Sequence, residues 1–186
     1  MSVTEIFSSK VPLRGLYGDP TLQHERKILL QYPRYTIILH LIKFKMNKSG
    51  PIIIIEDDMD DQAIISEVFT ELNYSNEVIF FSDGVAAYEY LKASELQPFL
   101  ILSDINLPKL NGFELRDMVH NNEELRLKCI PYLFFTTSAQ EKHVIDAYSK
   151  SVQGFFTKPG SYSELSRVLR NIVEYWKDCR SPKIIV

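Results

Sequence analysis

Cysteine is scarce in this chain. Cys129 and Cys179 are its only two, and neither stands in a Cys-x-x-Cys pair or a Cys/His cluster, which excludes a disulfide framework and a structural zinc site. Basic runs are missing as well: 21 Lys and Arg face 24 Asp and Glu, a formal charge of -3. A sequence-independent grip on nucleic acid needs clustered cations to displace counterions, so nucleic acid is not an expected partner. The longest early apolar stretch, Thr36 to Ile42, is too short to span a bilayer and is not placed as a signal peptide, so no membrane role is expected and the reading is cytoplasmic. No Gly-rich ATP loop and no helix-turn-helix pattern follows the last helix, which directs output to protein contact. His24, His40, His120 and His143 show no ligand spacing; all four are read as surface or packing residues.

What the chain does have is enough apolar residue, 45% of 186, for one substantial core with an appended segment. From Pro51 onward, short apolar runs alternate with helical periodicity, the pattern of a parallel sheet covered on both faces. Five strands are expected, at Ile52 to Ile55, Glu77 to Phe81, Phe99 to Ser103, Tyr132 to Thr136 and Gly154 to Thr157, with five helices between and after them. Helix starts are marked by Ser82-Asp83, Asn111-Gly112 and Ser161 or Ser163 as capping residues. The fold class is therefore α/β, a doubly wound five-stranded parallel sheet with five helices, its first and third strands adjacent.

Residues 50–178 form this domain, and residues 179–186 a tail. Residues 1–49 read as an extension of unassigned fold, broken by Pro12, Pro20 and Pro33. Met46 stands just before Asn47-Lys48-Ser49-Gly50 and the first strand, so it is a candidate initiator, with residues 1–45 a mis-set start or an added arm. Alternatively, Tyr35 to Phe44 packs as an extra edge strand or helix.

Chemistry gathers at strand ends. The run Pro51 to Ile55 ends in Glu56-Asp57-Asp58, Phe99 to Ser103 ends in Asp104, and Gly154 to Thr157 ends in Lys158-Pro159. Carboxyl ends of parallel strands share one edge, so these distant residues converge at the topological switch point. Any one of them alone is more often a turn former or cap, and Asp58, Asp60 and Asp61 are assigned to that role at a helix start. A carboxylate pair about 4 Å apart repels by roughly 4 kcal/mol at an effective dielectric near 20, so Glu56, Asp57 and Asp104 call for a cation. Oxygen-only ligands point to Mg²⁺ or Mn²⁺ rather than zinc. Phosphoryl transfer asks chiefly for position and charge neutralisation, which makes Asp104 the candidate phosphoryl acceptor, with Lys158 as the positive charge and Thr136 as a hydroxyl for a phosphoryl oxygen.

Glu56-Asp57, Asp104, Thr136 and Lys158-Pro159 together resemble, in order and approximate spacing, the signature of the receiver domain of two-component response regulators, over about residues 50 to 178. The EDD opening, Thr136-Thr137-Ser138 and Tyr175-Trp176 look most like the small stand-alone receivers paired with bacterial phytochromes. The resemblance implies the flavodoxin-like receiver fold, Mg²⁺ bound by Asp57, Asp104 and the Asn106 backbone carbonyl, with Glu56 contacting it through water. It further implies transfer to Asp104 from a phosphohistidine on a sensor histidine kinase or phosphotransfer protein, and slow hydrolysis of the acyl phosphate. Thr136 and Phe155 would be the switch pair, Asn106 and Ser138 would tune the lifetime, and the Lys158-Pro159 peptide would be cis. Partners are then the kinase, a downstream protein and a possible second copy of the chain. The only catalysis would be on the domain's own aspartate. Two departures stand out: Gly160 replaces a bulky apolar residue, and Lys150-Ser151 replaces a frequent glycine.

Two other functions compete. A dehalogenase-type phosphatase would use an aspartate nucleophile, but that class places it early as DxD with its acidic pair late, the reverse of the order here. A receiver-like scaffold that is never phosphorylated would lack site residues, and none is missing.

Overall fold

The computed structural model describes residues 46–137 and 140–180. Ser138, the Tyr35 to Phe44 stretch with the rest of residues 1–45, and residues 181–186 lie outside the described residues. The described chain runs β1 (Ile52–Ile55), α1 (Met59–Leu72), β2 (Val78–Phe81), α2 (Gly84–Ala93), β3 (Leu100–Ser103), α3 (Gly112–Asn121), α4 (Glu123–Leu127), β4 (Tyr132–Thr136), α5 (Glu141–Ser149), β5 (Gly154–Thr157) and α6 (Tyr162–Asp178). All strand pairs are parallel, in the order β2-β1-β3-β4-β5. This is the expected doubly wound sheet, with β1 and β3 side by side.

The four isoleucines of β1 explain its central place. Branched side chains suit a pleated surface, and all four are buried because helices cover both faces. Alternation along the strand sends Ile52 and Ile54 to one face and Ile53 and Ile55 to the other. Ile52 and Ile54 share a core with Ile65 and Val68 of α1 and with Leu165, Leu169 and Ile172 of α6. Ile53 and Ile55 pack instead with Ala87 and Leu91 of α2, Leu115 and Val119 of α3, and Phe134. Met46 is buried in the first of these cores, at 5% exposure. Trp176 packs against that core, whereas its neighbour Tyr175 is 64% exposed.

Capping follows the sequence closely. Asp58 accepts from the Asp60 and Asp61 amides, Asp83 from Ala86, and Ser161 from Glu164, while Asn111 and Glu114 form a reciprocal capping box. One helix was not expected. Among the described residues there are six rather than five, because Asn122 ends α3 and at once caps α4 through the Leu125 amide. With Glu123 and Glu124 in its first turn, α4 also has favourable charge at its start. Glu77 and Phe99 fall just outside β2 and β3, although the Glu77 carbonyl and the Phe99 amide still bond to the strand start at Ile52 and Pro51. Ser151, where glycine is frequent in the resembling family, takes a left-handed φ of 57°. A side chain there costs roughly 1–2 kcal/mol, which glycine would avoid.

Gly112 packs directly against the turn that carries Asp104. A Cβ at this position would lie 2.2 Å from the Asp104 carbonyl oxygen and 3.0 Å from the Ile105 Cα, both backbone. The absence of a side chain lets α3 start against the turn that carries Asp104, and the Gly112 amide bonds to Ile105 O at 2.9 Å. Gly112→Ala is expected to lower stability by about 1–3 kcal/mol through forced backbone movement, measured by urea unfolding. A change within a few tenths of a kcal/mol would show that the turn is loosely held.

Candidate functional site

Glu56, Asp57 and Asp104 stand just beyond the ends of β1 and β3. The backbones of Glu56 and Asp104 are fixed by the ladder itself: the Glu56 amide donates to Phe81 O at 2.9 Å and the Asp104 amide to Ile55 O at 2.8 Å. One carboxylate oxygen from each of the three lies within 4.8 Å of the others. Glu56 and Asp104 are buried and Asp57 is exposed, so the cluster opens to solvent on the Asp57 side. Asp104 Oδ1 accepts the Ile105 amide at 2.6 Å, which fixes the orientation of its carboxyl group. Its Oδ2 faces Lys158 Nζ at 3.9 Å.

Lys158 follows β5, and its amide donates to Thr136 O at 2.8 Å. That one bond ties the lysine to the end of β4, where Thr136 is fully buried and pairs in register with Thr157. The ammonium hydrogen-bonds Glu56 Oε2, and Asp61 Oδ2 at 2.6 Å. Lys158 and Glu56 side chains are 7% and 3% exposed, so this is a buried ion pair, of the kind whose disruption leaves an uncompensated charge. Burial pushes the Glu56 carboxyl up to about 7, with the charge of Asp104 adding and Lys158 pulling the other way. For Lys158, burial disfavours the ammonium, but its bonds to Asp61 and Glu56 and the charge of Asp104 outweigh that and hold its pKa above the ordinary lysine value.

Phe155 lies on β5 beside Phe134, ring centres 6.3 Å apart, and is partly buried. Asn106 is exposed in the turn after Asp104. Lys109 of the same turn pairs with Asp83 Oδ2 at 2.6 Å, joining that turn to the start of α2 and holding the Asp83 carboxyl below the usual aspartate range.

The structure thus gathers Glu56, Asp57, Asp104, Thr136 and Lys158 at one sheet edge. One expectation fails: the Lys158-Pro159 peptide is not cis, since no cis bond occurs among the described residues. The trans form of an X-Pro bond is favoured by about 0.5–1 kcal/mol, and in it the ammonium already reaches the carboxylates. Sequence reasoning also misses one residue. It assigns Asp61 wholly to the helix start, where Asp61 does receive the Asp58 cap, yet the Asp61 carboxylate also holds Lys158. The available signal is its place as the third helical residue, because side chains in the first turn lean back toward the helix N-terminus and hence toward the end of β1.

Three carboxylate donors with no nitrogen or sulfur ligand fit a hard divalent ion, Mg²⁺ or Mn²⁺, and not a soft one. The crowding of buried Glu56 and Asp104 is the structural reason a cation is wanted.

Comparison with known proteins agrees with this geometry. The family model of the response regulator receiver domain matches residues 52–170. The chain belongs to the receiver domain family of response regulators. It is 32% identical over 135 residues to the response regulator Rcp1 of Synechocystis, covering 70% of this chain and 90% of that one. It is 33% identical over 129 residues to a probable methanogenesis regulatory protein, FilR2, of Methanothrix harundinacea, covering 67% and 82%. Among solved structures, the phosphorylated cyanobacterial phytochrome response regulator RcpA aligns with a TM-score of 0.63 at 29% identity, over 73% of this chain and 99% of that one. The Mn²⁺-bound form of Rcp1 aligns at 0.62 and 31%, with the same two shares. This receiver is thus similar to stand-alone, phytochrome-associated regulators, and the dehalogenase-type reading is left without support.

Because burial raises the Glu56 carboxyl to about 7, protons compete increasingly with a bound cation below that pH, and raising the pH removes the competitor. Mg²⁺ titrated calorimetrically should bind several-fold more tightly at pH 8 than at pH 6. Equal affinity at both would mean that Glu56 does not face the ion.

Proposed function

We propose that this chain is a single-domain response regulator that accepts a phosphoryl group on Asp104 from a sensor histidine kinase or phosphotransfer protein and signals by protein contact. The observation that carries this reading is the convergence of the Asp104 carboxylate, the Glu56 and Asp57 carboxylates within 4.8 Å, and a buried lysine 3.9 Å from Asp104.

An Asp104 oxygen attacks phosphorus as the P–N bond of the donor phosphohistidine breaks, and the electron pair leaves with the imidazole. The product is an acyl phosphate on Asp104, later cleaved by water. Sheet and turn hydrogen bonds hold the nucleophile in place beforehand, which is the greater part of what phosphoryl transfer requires. Lys158 offers a charged donor toward the phosphoryl oxygens, and buried Thr136 a hydroxyl. Mg²⁺, or Mn²⁺ as in the Rcp1 structure, held by Asp57, Asp104 and the Asn106 carbonyl with Glu56 behind a water, would supply further charge neutralisation. The chain's catalysis is confined to its own aspartate, so it is not an enzyme in the turnover sense.

Signalling follows from Thr136 being drawn toward the phosphoryl group, with Phe155 moving into the space released. The two lie on adjacent, paired strands, and Phe155 already borders Phe134. The face reshaped is that of α5, β5 and α6, where Ile145, Tyr148 and Tyr175 are exposed and available to a downstream protein or a second copy. Asn106 and Ser138 tune the phosphoryl lifetime. No described helix is long and apolar enough to cross a membrane.

With Mg²⁺ and acetyl phosphate, intact-mass measurement should reveal one phosphoryl adduct, lost with EDTA and absent in Asp104→Asn. A folded, Mg²⁺-binding protein without an adduct, and without affinity for beryllofluoride, would instead support a phosphorylation-independent scaffold.

A further inference from the structure

Lys158 has an unusual share of its hydrogen bonding committed before any ligand arrives. An ammonium has three donors. One goes to Glu56 Oε2 and one to Asp61 Oδ2 at 2.6 Å, while Asp104 Oδ2, at 3.9 Å, is beyond hydrogen-bond range. Asp61 and Glu56 approach from different elements, α1 and the end of β1. Between them they fix the ammonium and leave its third donor for the Asp104 side. An oxyanion attached to Asp104 adds oxygens beyond the carboxylate, into the gap that now separates Asp104 from Nζ.

We propose that Asp61 is a positioning residue for the phosphoryl site: it anchors Lys158 so that the remaining donor meets the group carried by Asp104. This rests on Asp104 being the acceptor. The proposal gives Asp61 a role opposite in sign to that of a bystander charge. A carboxylate that merely sits near the site repels an incoming anion, so deleting it would tighten anion binding. A carboxylate that holds the lysine in place loosens the site when deleted, because a freed four-carbon side chain has its rotamer freedom back and must lose it again on binding. Asp60 provides the comparison. It carries the same charge one residue away, is exposed, and forms no ion pair with Lys158, whose carboxylate partners are Glu56, Asp61 and Asp104.

The test is calorimetric titration of beryllofluoride, an aspartyl phosphate mimic, at saturating Mg²⁺, with acetyl phosphate phosphorylation rates measured alongside. Asp61→Ala should weaken beryllofluoride binding and slow phosphorylation by about five- to tenfold. Asp61→Asn, which keeps an acceptor oxygen without the charge, should recover part of the loss, and Asp60→Ala should match the parent chain or bind slightly more tightly. In a Lys158→Ala background the Asp61→Ala effect on the phosphorylation rate should vanish, which a general loss of helix stability would not produce. Binding by Asp61→Ala as tight as the parent's or tighter, or a full effect persisting without Lys158, would overturn the anchor. If the parent chain itself neither binds beryllofluoride nor is phosphorylated, the acceptor reading fails and the anchor fails with it.

Discussion

The parallel ladder forces two buried carboxylates into proximity, and a single ammonium makes that proximity tolerable. Glu56 and Asp104 cannot retreat from each other, because each backbone amide is bonded to the neighbouring strand. Lys158 arrives from the far side of β4, carried by β5, and is itself held by its amide bond to Thr136 O. Sheet order therefore determines the site's charge balance: the acids come from β1 and β3 at the middle of the sheet and the base from its edge strand, β5. Replacing or supplementing that ammonium with a divalent cation is chemistry the cluster is already arranged to accept. Burial is the main reason the Glu56 carboxyl is raised to about 7, and the charge of Lys158 only partly offsets it.

The rest of the fold serves that edge. Two apolar cores, one on each face of the sheet, bury β1, β3 and β4 almost completely and leave the strands' carboxyl ends as the place where polar groups concentrate. Gly112 lets α3 begin against the Asp104 turn, and the Lys109–Asp83 pair joins the same turn to α2. Both contacts restrain the loop that carries Asn106. Thr136 and Phe155 lie on adjacent strands, with the Thr136 side chain fully buried and Phe155 half-buried against Phe134.

Much of the fold and site is legible in the sequence because buried runs stop abruptly at charged residues. Ile52 to Ile55 followed by Glu56-Asp57, and Leu100 to Ser103 followed by Asp104, carry both the strand and its chemistry in a few letters. The features that escape such a reading have two meanings in sequence. Asp61 follows an N-cap and fits the favourable charge of a first helical turn, and nothing in the spacing distinguishes that from a carboxylate reaching Lys158. Asn122 could end one helix or start another and does both, which hides α4. The Lys158-Pro159 expectation comes from resemblance rather than from local physics, and here the bond keeps the ordinary trans form.

If Asp104, the acidic pair and Lys158 form one phosphoryl site, a crystal structure of the chain with Mg²⁺ and beryllofluoride is the most direct test. Beryllium is then expected on the Asp104 carboxylate, the metal among Glu56, Asp57 and Asp104, and Lys158 Nζ bonded at once to a fluoride and to Asp61. Beryllium on another residue, or a lysine turned away from the fluorides, would contradict a single site.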